Sequence, residues 1–124
     1  MGGVMLRGIR GATTAEQNTA REIILATREL LELLVRENEI DPEDIASVIF
    51  TATPDLNAEF PALAAREMGW KHVPLLCAVE MSVPGRPGKC IRVLLHVNTG
   101  KSQKELKHVY LKGAACLRED LLPE

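Results

Sequence analysis

The sequence predicts an α+β domain with a mixed β-sheet covered by helices, and three observations carry that prediction. Apolar residues between 20 and 37 recur at helical intervals and define one broad face. Several other segments are aliphatic runs of strand length bounded by glycine, proline or threonine. Their order reads β-α-β-α-β-β-α-β, with neither an internal repeat nor a linker. At 124 residues the chain has the usual size of one domain with one core, so residues 1–124 are read as a single domain.

Each element has a local reason. Val4 to Ile9 is apolar and strand-like and runs into Gly11-Ala12-Thr13-Thr14. Thr19 with Glu22 three residues on has capping-box spacing, which places a helix over about residues 20–37 with Ile23, Ile24, Leu30, Leu31, Leu34 and Val35 facing inward. Asp41-Pro42 supplies a new cap and a first-turn proline for a short turn through Asp44. Ser47 to Ala52 is a buried strand ended by Thr53-Pro54-Asp55. Pro61 opens a helix over Ala62 to Met68 that Gly69 closes. Val73 to Met81 and Cys90 to Val97 read as strands separated by a flexible loop, Val83-Pro84-Gly85-Arg86-Pro87-Gly88. A short helix near Ser102 to Leu106 precedes a last strand, His108 to Leu117, and residues 119–124 read as a flexible tail.

Composition removes several functions. Four aromatics force an aliphatic core and leave no stacking platform for single-stranded nucleic acid. Lys and Arg total 15 against 17 Asp and Glu, so there is no cationic surplus for a polyanion. The apolar runs are too short to span a membrane, and the first residues lack the order of a signal peptide. Three cysteines without C-x-x-C spacing suit reduced thiols and a cytoplasmic protein, and three scattered histidines form no zinc motif.

Several chemical motifs fail on spacing. Gly100-Lys101-Ser102 has Leu95 where a phosphate loop needs its first glycine. Gly85-x-x-Gly88-Lys89-Cys90 puts a cysteine where a hydroxyl belongs. Cys77, in an apolar strand, reads as an inert thiol before it reads as a nucleophile. Asp55 and Glu59 read as a cap and a solvated loop charge before they read as a carboxylate pair.

What survives is charge inside strands. Arg10 and Arg92 interrupt apolar segments, and Glu80 ends Leu75-Leu76-Cys77-Ala78-Val79. An unpaired guanidinium is costly to bury. Arg92 and Glu80 therefore either pair across neighbouring strands or help to form an open pocket for a small anion, where arginine's planar fork suits carboxylates. Arg7 and Arg10 are three apart, so a regular strand points them to opposite faces.

Five segments then line up in order: Arg7-Gly-Ile-Arg-Gly-Ala-Thr-Thr14, Ala52-Thr-Pro-Asp-Leu56, Phe60-Pro61, Cys90-Ile-Arg-Val93 and His108-Val-Tyr-Leu111. Together they resemble the AroH-type chorismate mutases over about residues 5 to 118. The resemblance implies a homotrimer of pseudo-α/β-barrel form with active sites at subunit interfaces, converting chorismate to prephenate on the way to phenylalanine and tyrosine. It implies that Arg10 binds a substrate carboxylate, that Arg92 faces the breaking ether oxygen and a carboxylate, that Glu80 contacts the ring hydroxyl and that Tyr110 holds the side-chain carboxylate. Leu76, Cys77, Ala78, Val79 and Glu80 would form a wall. Phe60, Ala62, Arg66 and Leu75 would come from a neighbouring subunit, with Leu117 and Arg118 on the closing tail. Leu63 and Leu76 depart from relatives that carry lysine and threonine there. Cys77 and Glu80, three apart, need a bend if both line one pocket.

The implied reaction is a unimolecular [3,3] rearrangement and calls for no cofactor or metal. Two other readings compete with it. One is a non-catalytic module binding chorismate-like dicarboxylates. The other is a fragment of a ketoacyl-synthase-like fold, echoed by Asp41 to Asp55, for which 124 residues are too few.

Overall fold

Five strands form one mixed sheet in the order β3-β2-β4-β1-β5. Its strands are β1 (Met5–Thr14), β2 (Ile45–Ala52), β3 (Leu75–Val79), β4 (Cys90–Thr99) and β5 (Val109–Tyr110). The central strand β4 runs antiparallel to both β1 and β2, whereas β3 and β5 pair in parallel at the two edges. The structure, a computed structural model, describes residues 3–121, with side chains through Leu117.

Helix α1 (Ala20–Asn38) starts at the expected cap. Thr19 is extended and its hydroxyl accepts the Glu22 N–H at 3.2 Å. At the other end Glu39 turns left-handed, and its N–H reaches the Val35 and Arg36 carbonyls. The apolar face of α1 is fully buried at Ile23, Leu30, Leu31 and Leu34. Together with the short α2 (Ala62–Glu67), it packs on one side of the sheet against Ile9, Val48, Phe50, Val93 and Leu95. Gly11 lets α1 approach: a Cβ there would stand 2.9 Å from Leu34 Cδ1.

Helices α1 and α2 both lie on that one face. Along β4 the odd positions Ile91, Val93, Leu95 and Val97 are buried in the core, while Arg92, Leu94, His96 and Asn98 point the other way. Parity carries Arg10 and Ala12 of β1, and Ile49 and Thr51 of β2, onto this second face.

The last element differs from the sequence expectation. Only Val109–Tyr110 is strand, and Lys112–Leu121 is a 3₁₀ helix. Left-handed Lys112 (φ 52) breaks the extended run, and the Gly113 N–H then turns back to Thr14 Oγ1 at 3.2 Å. The apolar residues that suggested a strand instead place Ala114 and Leu117 against Ala12, Cys90 and Tyr110. Of the expected tail, 119–121 belong to this helix, and 122–124 lie outside the described residues. β3 is shorter than Val73 to Met81 because its ladder with β2 runs only from Leu75 to Val79. The turn near Ser102 is a single 3₁₀ turn, Gln103–Glu105, closed by a reciprocal Ser102–Glu105 capping box.

Candidate active site

Alternation along β4 brings Arg92 onto the open face, and the antiparallel registers bring Ala12 and Thr51 beside it. Arg10 lies on that face of β1, two residues from Ala12. Its backbone N–H donates to His108 Nδ1 at 2.9 Å, which ties β1 to the start of β5. Glu80 follows the end of β3, and its N–H donates to the Ala52 carbonyl at 2.9 Å. These elements converge on a cleft of about 330 Å³ lined by Arg10, Thr51, Glu80, Arg92, Leu94 and Tyr110.

Arg92 and Glu80 do pair, but loosely and not across neighbouring strands as expected, because β2 lies between β3 and β4. Arg92 Nη1 stands 3.7 Å from Glu80 Oε2, and the side chains are 42% and 23% exposed. A half-open ion pair in an open cleft keeps donors free for a ligand, so pairing and an anion pocket coexist. The Tyr110 hydroxyl is buried, with no hydrogen-bond partner among the described residues. A polar atom buried at the wall of a cleft without a partner is costly unless a ligand or water completes it.

Glu80 and Arg92 also line a larger neighbouring cavity of about 640 Å³, whose far wall is the loop after β3, including Met81, Val83 and Arg86, together with Leu117. Asp55 anchors this loop. Its two carboxylate oxygens accept the Lys89 N–H at 3.0 and 2.9 Å, and the Thr53 hydroxyl donates to it at 2.5 Å. The Thr53 hydrogen bond, aided by the Lys89 backbone, holds the Asp55 carboxyl below its ordinary range. The cap role expected for Asp55 is thus a loop clamp.

The other expected site residues lie apart. Phe60, Ala62, Arg66, Leu75, Leu76 and Cys77 line a separate cleft of about 210 Å³ between α2 and the edge strand β3. Cys77 packs against the core, opposite in parity to Ala78 and Glu80, so no bend unites Cys77 with Glu80 within one chain. Ala78 and Val79 are exposed on the edge strand, and Leu63 is half-buried on α2. The Arg118 side chain lies outside the described residues.

Burial disfavours the thiolate at Cys77 and Cys90. Burial pushes Cys77 up, against the backbone at Ala62 and the Arg66 charge, and pushes Cys90 up to about 11. Two residues at the clefts were missed in the sequence. Thr51 was legible, because buried Val48 and Phe50 fix the opposite parity for Ile49 and Thr51. Arg86 was not, because nothing in a Pro/Gly loop indicates which way it folds.

Comparison with known proteins identifies the family. Residues 6–121 match the family model described as chorismate mutase type I. The chain is 50% identical over 119 residues to chorismate mutase AroH of Bacillus subtilis, covering 95% of this chain and 94% of that one. It is 51% identical over 118 residues to chorismate mutase AroH of Thermus thermophilus, covering 94% and 97%. The solved chorismate mutase from Clostridium thermocellum superposes with a TM-score of 0.87 at 53% identity, covering 88% of this chain and 97% of that one.

Proposed function

The chain belongs to the type I chorismate mutase family, and from that membership we propose how its separate clefts combine to isomerise chorismate to prephenate. The observation that carries the reading is the meeting of Arg10, Glu80, Arg92 and Tyr110 in one open cleft, with the Tyr110 hydroxyl buried and unpartnered among the described residues. Chorismate is a dianion whose rearrangement breaks an ether C–O bond as a C–C bond forms within the same molecule. Such a reaction asks the protein for conformer selection and charge stabilisation, and for no nucleophile.

Arg92 is aimed at the ether oxygen, where negative charge grows, and at one carboxylate. Arg10 and Tyr110 hold the carboxylates that are present in both ground and transition states. Glu80 accepts from the ring hydroxyl and offsets part of the Arg92 charge. A preorganised cation at the developing oxyanion acts as an oxyanion-hole donor does.

A homotrimer completes the site. Phe60, Ala62, Arg66 and Leu75 of one subunit would close the Arg92 cleft of the next. Leu76, Cys77, Ala78 and Val79 would form the wall between them, with Leu117 and Arg118 at the mouth. Two features support this assembly: the two half-sites lie in different clefts, and Leu6, Leu76, Val79 and Leu94 leave apolar surface on the strands beside them. The chain acts as one catalytic domain. The three free cysteines fit a cytoplasmic enzyme, and among the described residues no helix is long and apolar enough to cross a membrane.

The test pairs turnover with mass. Purified protein without added cofactor is expected to consume chorismate, followed by its absorbance, and light scattering to give about three times 13.6 kDa. Binding of chorismate without turnover would reject the catalytic reading, and full activity of a monomer at nanomolar concentration would reject the shared site.

A further inference from the structure

Thr51 has no part in the roles assigned above, yet it occupies the middle of the open face. Its Cα register places it opposite Arg92 on β4 and opposite Ala78 on β3, two residues before Glu80. Its hydroxyl donates to Glu80 Oε2 at 2.6 Å, while the Met81 N–H donates to Oε1 at 3.3 Å. Arg92 Nη1 stands 3.7 Å from the same Oε2, beyond the range of a good N–H···O hydrogen bond. Glu80 is therefore hydrogen-bonded to the neutral hydroxyl on the next strand and only loosely paired with the cation two strands away.

We propose that Thr51 is a positioning residue that holds the Glu80 carboxylate off Arg92, keeping the guanidinium donors free for the substrate. The competing arrangement is a bidentate Arg–carboxylate pair, the strongest geometry open to two such groups. Closing it needs a movement of well under a residue's length, because the oxygen and nitrogen already face each other in the cleft. In that closed pair the Arg92 donors are spent on Glu80, and an incoming dianion must break it before it can bind. The short O–H···O⁻ bond from Thr51 opposes this collapse, since it commits Oε2 to a direction fixed by β2. A strand side chain with a branched Cβ is well suited to the task, because its χ1 is stiff.

The inference rests on the chorismate reading of this cleft, so turnover by the unaltered protein is measured first, and its failure would concern that reading alone. Thr51→Val keeps shape and strand preference and removes only the hydroxyl. It is expected to lower kcat/KM about tenfold, the scale of one hydrogen bond to a charged group, with an unchanged melting temperature. Thr51→Ala carries the same expectation without adding a methyl, and Thr51→Ser is expected to restore kcat/KM to within about twofold. The decisive arm is the double variant with Glu80→Ala. If Thr51 acts through Glu80, Thr51→Val has no further effect in that background. Calorimetric titration with prephenate repeats the comparison where turnover is slow. Retention of kcat/KM within about twofold in Thr51→Val, or an undiminished loss in the Glu80→Ala background, would overturn the positioning role.

Discussion

The two faces of the sheet are made by the same strands and have opposite characters. On the covered face Ile9, Phe50, Ile91, Val93 and Leu95 are at most 3% exposed and meet the aliphatic face of α1. On the open face the intervening positions bring together two arginines, a glutamate, a tyrosine and a threonine. One side has given up polar chemistry for burial. The other has kept it at the cost of incomplete partners, as the 3.7 Å Arg92–Glu80 gap and the lone Tyr110 hydroxyl show. The difference teaches where stability and activity reside: along β4 the two properties alternate residue by residue, so neighbours in sequence should respond oppositely to truncation.

The largest effects come from testing the two faces directly. Phe50→Ala empties a fully buried site on the covered face and is expected to cost about 3–5 kcal/mol of stability, read as a shift of the denaturant midpoint. Arg92→Ala on the open face is expected to leave a folded assembly and to reduce kcat by about a hundredfold or more, the scale of a lost preorganised donor. A folded Arg92→Ala protein that keeps kcat within about threefold, a loss below roughly 0.7 kcal/mol, would break the comparison.

The sequence carried the covered face almost completely, since burial there follows from period and capping. The Thr19 cap and the face of α1 could both be read because one local pattern determines each of them. The open face was read where charge interrupted an apolar run, at Arg10, Glu80 and Arg92, whereas parity alone could have placed Thr51 there. The resemblance supplied Tyr110, whose place depends on a two-residue parallel pairing that no local pattern announces. The failed strand over His108 to Leu117 has the same origin: alternation cannot reveal that Lys112 turns left-handed. Thr51 and Arg86 acquire meaning only when separate strands and a loop come together.

The loop beside the open face gives a smaller, pH-dependent test. Asp55 titrates below its ordinary value because the Thr53 hydroxyl and the Lys89 N–H favour its charged form. A carboxyl depressed in the folded state contributes stability that is present above its unfolded pKa and is lost as pH falls through the folded one. Hydrogen-exchange protection of the Lys89 amide should therefore hold at neutral pH and disappear as the pH falls below 3.8, while the α1 amides stay protected to lower pH. Asp55→Asn should lose most of that pH dependence. Equal protection of Lys89 at neutral pH and below 3.8 would show that the clamp does not set the loop.

The smallest expected effect isolates the comparison best, because the same defect occurs on both faces. Thr13 Oγ1 and Tyr110 Oη are buried hydroxyls without hydrogen-bond partners among the described residues. Thr13 is fully buried and of the same parity on β1 as core residue Ile9, and no cleft described above includes it. Tyr110 lines the cleft with Arg10 and Arg92. If an unpartnered hydroxyl is only a cost, removing either should stabilise the fold by about 1 kcal/mol, the lower end of the penalty for an unsatisfied polar group. For Thr13→Val that is the whole expectation: a slightly higher denaturant midpoint with kcat and KM unchanged. For Tyr110→Phe the same gain should come with a rise in KM of about tenfold or more, since one hydrogen bond to a bound carboxylate is worth about 1.5–3 kcal/mol. The two substitutions match in stability and separate in kinetics only if the open face holds its hydroxyl for a ligand. A Tyr110→Phe enzyme with unchanged KM would make both hydroxyls ordinary packing defects and would remove Tyr110 from the site.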